Sequence, residues 1–127
     1  MADKQTDIII SGAGAAGLTL GVLLARAGLK VAIIDPADEA ALSDDSLSGR
    51  TVALMNASLN ILRGTGVWPE LEDISNPLKI MQIIDVSRPA GEPLVEPFEA
   101  SDIGQDQYGF NIPNNALRAA LFKAAQD

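Results

Sequence analysis

An α/β fold that opens on a parallel strand, helix, strand unit is predicted for this 127-residue chain by three features of its first 35 residues. A β-branched run, Ile8, Ile9 and Ile10, is followed at once by Gly12, Gly14 and Gly17. A largely apolar stretch of helical length comes next, and a second short apolar run ends on an acid, Asp35. Strand, glycine turn, helix, strand and acid therefore occur in order within one unit.

Each element has a local cause. Residues 7–11 form the continuous apolar run expected of a parallel strand buried on both faces. A helix is predicted over 15–27, apolar on nearly every side until Arg26, with Gly28 in the place of a C-terminal stop. Residues 30–34 make the second strand. Residues 36–48, rich in Ala, Asp and Ser, read as a loop containing at most a short helical turn. A second helix is predicted over 51–63, with Met55, Leu59 and Leu62 as its buried stripe and Gly64 or Gly66 as its stop. Residues 67–71 form a turn carrying Trp68, read as a packing residue. Strands are predicted over 80–86 and 94–98, separated by a Pro- and Gly-broken connection, and again over 108–112 after a polar loop. Pro113 or Asn114 opens a last helix with Leu117, Leu121 and Ala124 on one side.

Composition narrows the chemistry. A hydrophobic fraction of 47% suffices for the core of one ordinary domain. The net charge of -8 argues against a nucleic-acid partner, which requires clustered Lys and Arg. The acids gathered between Asp35 and Asp45 read as a solvated loop. With no cysteine there is no disulfide and no thiolate metal site, and a cytoplasmic setting is expected. The absence of His removes the commonest metal ligand and general base. No metal site and no catalytic side chain are assigned, so any chemistry must be carried by something bound. The longest apolar run, 18–25, is too short to span a bilayer, and the N-terminus lacks the basic region of a signal peptide.

The spacing G-x-G-x-x-G gives the opening unit a physical purpose. Gly12 permits the tight turn out of the strand, Gly14 lets a pyrophosphate approach the backbone, and Gly17 lets the helix pack closely. Phosphates then meet unpaired N–H groups and the positive end of the helix dipole. Asp35 lies 23 residues after Gly12, where a carboxylate accepts hydrogen bonds from the ribose hydroxyls of an adenosine. It repels a 2′-phosphate, which disfavours NADP. A Rossmann-like dinucleotide site follows, open to FAD or NAD, although Gly28 within LARAGLKVAIID resembles the extended pattern of FAD-binding flavoproteins.

Three segments together carry a wider resemblance: DIIISGAGAAGLTLGVLLARAGLKVAIID, SGRTVALMNASLNILRGTGVWPEL and YGFNIPNNALRAAL. The chain resembles the N-terminal third of the FAD-dependent aromatic hydroxylases (class A flavoprotein monooxygenases), in particular the branch that hydroxylates ubiquinone precursors. The resemblance implies that Gly12, Ala13, Gly14, Ala15, Ala16 and Gly17 hold the FAD pyrophosphate and that Asp35, where the family more often has Glu, holds the adenosine ribose. Arg50 matches an arginine that the family places beside the flavin and its phosphates. As a cation at a helix start it would suit a bound anion. Asn114 falls where many relatives carry an Arg touching FAD, and Arg118 where the quinone-pathway branch often has Gln. Both are expected to bind cofactor.

The mechanism implied is also the family's. FAD is reduced by NADPH or NADH and activates O2 for transfer to an aromatic substrate, while the protein supplies placement and exclusion of water. Peripheral membrane association would follow from a polyprenyl-tailed substrate. The expected division is 1–75 for the N-terminal part of the FAD-binding domain, 76–112 for antiparallel strands leading into a substrate domain, and 113–127 for a helix returning to the FAD side. Only two parallel strands are supplied, so the chain is expected to be an N-terminal piece, inactive alone. Another FAD or NAD oxidoreductase half and a non-catalytic nucleotide sensor are the alternatives.

Overall fold

A computed structural model describes residues 5–47, 49–87 and 91–127. Ser48, in the loop expected at 36–48, and residues 88–90, in the connection before the second hairpin strand, lie outside the described residues. The chain opens as expected: β1 (Ile8–Ser11), α1 (Ala15–Arg26) and β2 (Val31–Ile34), with β1 and β2 parallel and Ile8 opposite Val31. Gly28, at φ 89°, ends α1 by donating its N–H to the Ala25 carbonyl at 2.9 Å. Within these residues the burial expected on both faces of the pair is present on one. Helix α1 covers one face of this pair, where Ile10 and Val22 are buried, but Ile9 is 64% exposed and Ile34 59% exposed on the other. Two strands covered by one helix have a dry face and a wet face.

Beyond β2 come a one-turn helix α2 (Glu39–Leu42), started by the Asp38 carboxylate accepting the Ala41 N–H, and then β3 (Thr51–Met55) and α3 (Asn56–Arg63). The single helix expected over 51–63 is therefore corrected to a strand followed by a shorter helix. Val52 and Leu54 alternate toward the core, and all five residues of β3 pair antiparallel with β7 (Gly109–Pro113). Met55 is 44% exposed, leaving Leu59 and Leu62 as the buried stripe of α3. A Cβ on Gly109 would overlap the Leu54 carbonyl, so a glycine is what lets β7 lie against the end of β3.

Residues 67–71 form more than a turn. Helix α4 (Trp68–Leu71) has Pro69 in its first turn, where no N–H is missed, and leads through a 3-10 turn into β4 (Asn76–Leu78). Strand β4 pairs with the outer side of β7, giving the order β3-β7-β4. Pro77 is tolerated because β4 lies at an edge. Strands β5 (Ile80–Asp85) and β6 (Leu94–Glu99) form a separate antiparallel hairpin, close to the expected spans. The last helix, α5 (Asn114–Gln126), begins directly at the end of β7.

The core lies where α1, α3, α4 and α5 meet the three-stranded sheet. Leu18, Leu59, Leu71, Ile112, Leu117 and Leu121 are buried in one cluster that also contains Ala13 of the glycine turn. Trp68 belongs to it, edge-on to Phe110 with ring centroids 5.0 Å apart, and the Arg63 guanidinium lies 5.5 Å from its ring centroid. It packs, as expected. The Thr65 hydroxyl, fully buried, donates to the Leu62 carbonyl and so satisfies the end of α3. The core thus holds the glycine turn and the start of α5 against the same apolar mass.

Candidate functional site

The glycine turn is built from backbone alone. Gly12 has φ 107°, a conformation that side-chain-bearing residues rarely adopt, and its N–H donates to the Ile34 carbonyl at 2.7 Å. This hooks the end of β1 onto the end of β2. A Cβ on Gly17 would overlap the Gly12 carbonyl oxygen and lie 3.4 Å from Ile10 Cγ2, so α1 sits directly on the turn. A Cβ on Gly14 would meet nothing within 4 Å. Helix α1 therefore points its first turn at open space.

That space is suited to an anion. The first helical hydrogen bond runs from the Leu18 N–H to the Gly14 carbonyl at 2.9 Å, which leaves the N–H groups of Ala15, Ala16 and Gly17 without helical partners. No side chain caps this end, and no acid stands in its first turn. The donors and the dipole are thus free for a ligand phosphate. The vacancy that a Cβ on Gly14 would fill is the feature that makes these residues fit a dinucleotide pyrophosphate.

Asp35 stands at the rim of the turn. Its Oδ2 accepts the Ala13 N–H at 2.6 Å and its Oδ1 accepts the Ala37 N–H at 2.8 Å. These two bonds, the Ala13 one foremost, hold its carboxyl below the usual 3.8, and the Arg118 charge adds to the effect. Each oxygen retains a further lone-pair direction, so ribose hydroxyls can still donate to it. Beside it, a cavity of about 310 Å³ follows the side of β2, walled by Leu18, Ile33, Ala37, Leu42 and Phe122.

The other expected site residues fall in two places. Arg50 does not open a helix: it precedes β3, so no helix dipole opposes its charge there and none calls for a bound anion. The structure instead brings Arg50 together with Asn114, whose N–H donates to the Arg50 carbonyl at 2.9 Å where β3 passes the start of α5. Arg50 is exposed, and among the described residues nothing holds its guanidinium by hydrogen bond or ion pair. Asn114 is half-buried in the first turn of α5, an end that also lacks a side-chain cap.

Arg118 faces the loop after β2. Its Nη2 donates to the Ala41 carbonyl, and its Nε is buried without a partner. Asn115 was not foreseen as a site residue. Its Nδ2 donates to Asp44 Oδ2 at 3.0 Å and to Ser46 Oγ at 3.1 Å. The acids from 35 to 45 are consequently not all simply solvated, since Asp35 and Asp44 are both engaged. Hydrogen bonds from Ser46, with a smaller contribution from Arg118, lower the Asp44 carboxyl. No spacing in the sequence pairs position 115 with position 44. Among the described residues no group of three acids is placed to hold a metal ion, and no helix is long and apolar enough to cross a membrane.

Comparison with known proteins agrees with this geometry. A family model described as an FAD binding domain matches residues 5–126. The chain is 32% identical over 120 residues to the ubiquinone hydroxylase UbiL of Rhodospirillum rubrum, covering 94% of this chain and 27% of that protein. It is 30% identical over 120 residues to the ubiquinone hydroxylase UbiM of Neisseria meningitidis, covering 94% and 26%. Among solved structures, PqsL of Pseudomonas aeruginosa in complex with 2-aminobenzoylacetate superposes with a TM-score of 0.73 at 21% identity, over 95% of this chain and 30% of that one. The chain spans about a quarter of the length of the curated relatives it matches.

Proposed function

This chain belongs to the FAD-binding domain family, and from that premise we propose that it forms the FAD-binding portion of a flavin-dependent monooxygenase that hydroxylates an aromatic ring. A ubiquinone precursor is the substrate favoured by the two quinone hydroxylases among its relatives. The observation that carries this function is the uncapped first turn of α1, facing open space above Gly14 and rimmed by a carboxylate. Such a turn suits a pyrophosphate flanked by an adenosine, and the family resolves the choice between FAD and NAD that the spacing leaves open.

The chain's own residues bind and orient. Within residues 12–17 the free N–H groups of Ala15, Ala16 and Gly17 hold the pyrophosphate, the rest shape the turn, and Asp35 accepts the ribose hydroxyls. Arg50 and Asn114, side by side at the β3–α5 junction, meet the flavin half, and Arg118 borders the site through its bond to the Ala41 carbonyl. Bound here, FAD supplies activation of O2 at the expense of NADPH or NADH. Residues 1–75 and 113–127 form the FAD side, and the strands of 76–112 lead toward the substrate. A polyprenyl-tailed substrate would bring the enzyme to the inner face of the cytoplasmic membrane as a peripheral protein.

The test is a visible absorption spectrum of the protein expressed from its intact locus, followed by identification of the flavin released on denaturation. Flavin bands with FAD released are expected, together with NAD(P)H oxidation stimulated by a phenol. A colourless protein that takes up no FAD on reconstitution refutes the function.

A further inference from the structure

We propose that Asn115, together with Arg118, is a positioning residue for the adenosine end of the site: it clamps the loop from Ala37 to Ser46 onto α5 and so holds the wall beside Asp35. This inference rests on the proposed FAD function and adds to it a residue that no resemblance supplied.

The loop is tied at three points. At its start, Asp35 binds the Ala13 and Ala37 N–H groups and joins the loop to the glycine turn. At its middle, the Ala41 carbonyl accepts Arg118 Nη2. At its end, Asp44 and Ser46 together accept both N–H bonds of the Asn115 amide. Asn115 and Arg118 are three residues apart and so lie on one face of α5. Between these ties the loop carries only the single turn of α2, too short to hold its own shape. Leu42 is the one side chain of α2 that is buried, and it walls the cavity next to Asp35.

Charge explains why the pairing is specific. The Asn115 amide gives one neutral donor to Asp44 and the other to Ser46, and Arg118 supplies a nearby cation. A carboxylate at position 115 would turn the end tie from attraction to repulsion with little change in shape. Moving the pair together, with Asp at 115 and Asn at 44, restores a donor opposite an acceptor.

The experiment uses the protein expressed from its intact locus, freed of flavin, and measures Kd for FAD, AMP and FMN. Thermal midpoints are recorded alongside. For Asn115→Asp, FAD and AMP are expected to bind about tenfold more weakly, with FMN little changed, since one hydrogen-bonded tether is worth a factor of about ten. The exchanged pair Asn115→Asp with Asp44→Asn is expected to recover FAD and AMP binding to within about threefold of wild type. Equal weakening for AMP and FMN, or no recovery in the exchanged pair, overturns the clamp and leaves a merely structural contact. Wild-type binding of FAD with unchanged affinity in Asn115→Asp overturns the clamp alone. Failure of the wild type to bind FAD overturns the FAD function and the clamp with it.

Discussion

Adding one methyl group at Gly14 or at Gly17 separates folding from cofactor binding, because the two positions meet opposite surroundings. At Gly17 the new Cβ would overlap the Gly12 carbonyl oxygen and lie 3.1 Å from its carbon, so it meets backbone that cannot rotate aside. The start of α1 must withdraw by about 1 Å, a shift of the kind that costs about 1–3 kcal/mol. Better helix propensity of Ala returns about 1 kcal/mol at most. Gly17→Ala is expected to lose up to about 2 kcal/mol of stability. At Gly14 the same methyl meets nothing within 4 Å, and the backbone, at φ -76° and ψ 177°, suits alanine. Gly14→Ala should cost under about 1 kcal/mol, the loss of a favoured N-cap residue. It does, however, fill the space above the free N–H groups. Denying a phosphate two charge-assisted bonds of about 1.5 kcal/mol each lowers FAD affinity by about 100-fold. Urea unfolding of the flavin-free protein and FAD titration by flavin fluorescence measure the two effects. Gly14→Ala protein that melts like wild type and binds FAD within about threefold of it would show that the vacancy is not the phosphate cradle.

Three further outcomes follow from the same geometry. Arg50→Ala should leave stability within about 0.5 kcal/mol, because the exposed side chain contacts nothing that folding needs, yet weaken FAD binding; unchanged FAD affinity in a calorimetric titration would remove Arg50 from the site. Leu117→Ala, in the fully packed cluster, should cost about 2–5 kcal/mol by urea unfolding, and a loss below about 1 kcal/mol would contradict the close packing of α5. Asp35 and Asp44 have carboxyls lowered in the folded state from 3.8, so their contribution is complete above 3.8 and disappears as pH falls through the lower folded values. Asp35→Asn should accordingly flatten part of the acid limb of the stability curve, and identical limbs for variant and wild type would refute the assignment.

What was legible in the sequence was local. The glycine spacing, the two β-branched runs and the 3.6-residue stripe of α5 each act over a few neighbours, and each element formed where its pattern stands. The strand β3 was missed because residues 51–63 satisfy two periods at once: Val52 and Leu54 alternate, while Met55, Leu59 and Leu62 also make a helical stripe. Only β7, more than fifty residues away, decides between them, by pairing with every residue of β3. Strand β4 was hidden by Pro77, which an edge position tolerates. Of the site, the backbone part was readable because glycine has few other reasons to recur at that spacing. The ties from Asn115 and Arg118 were not readable, since a side-chain bond between positions 115 and 44 leaves no periodic trace.

The β5–β6 hairpin gives the molecule two very different clocks. Met81, Ile83, Leu94 and Phe98 face one way, Ile80, Ile84 and Val95 the other, and all are exposed. A ribbon with no dry side is held chiefly by its own cross-strand bonds, which do not make two strands stable in water. Wherever neither face is covered, its amides should exchange with solvent deuterium through local opening at nearly no free-energy cost, while those of β7 and α5 wait for global unfolding. Whatever surface comes to lie against either face of the ribbon will announce itself by slowing that fast clock, long before any change is visible in the core.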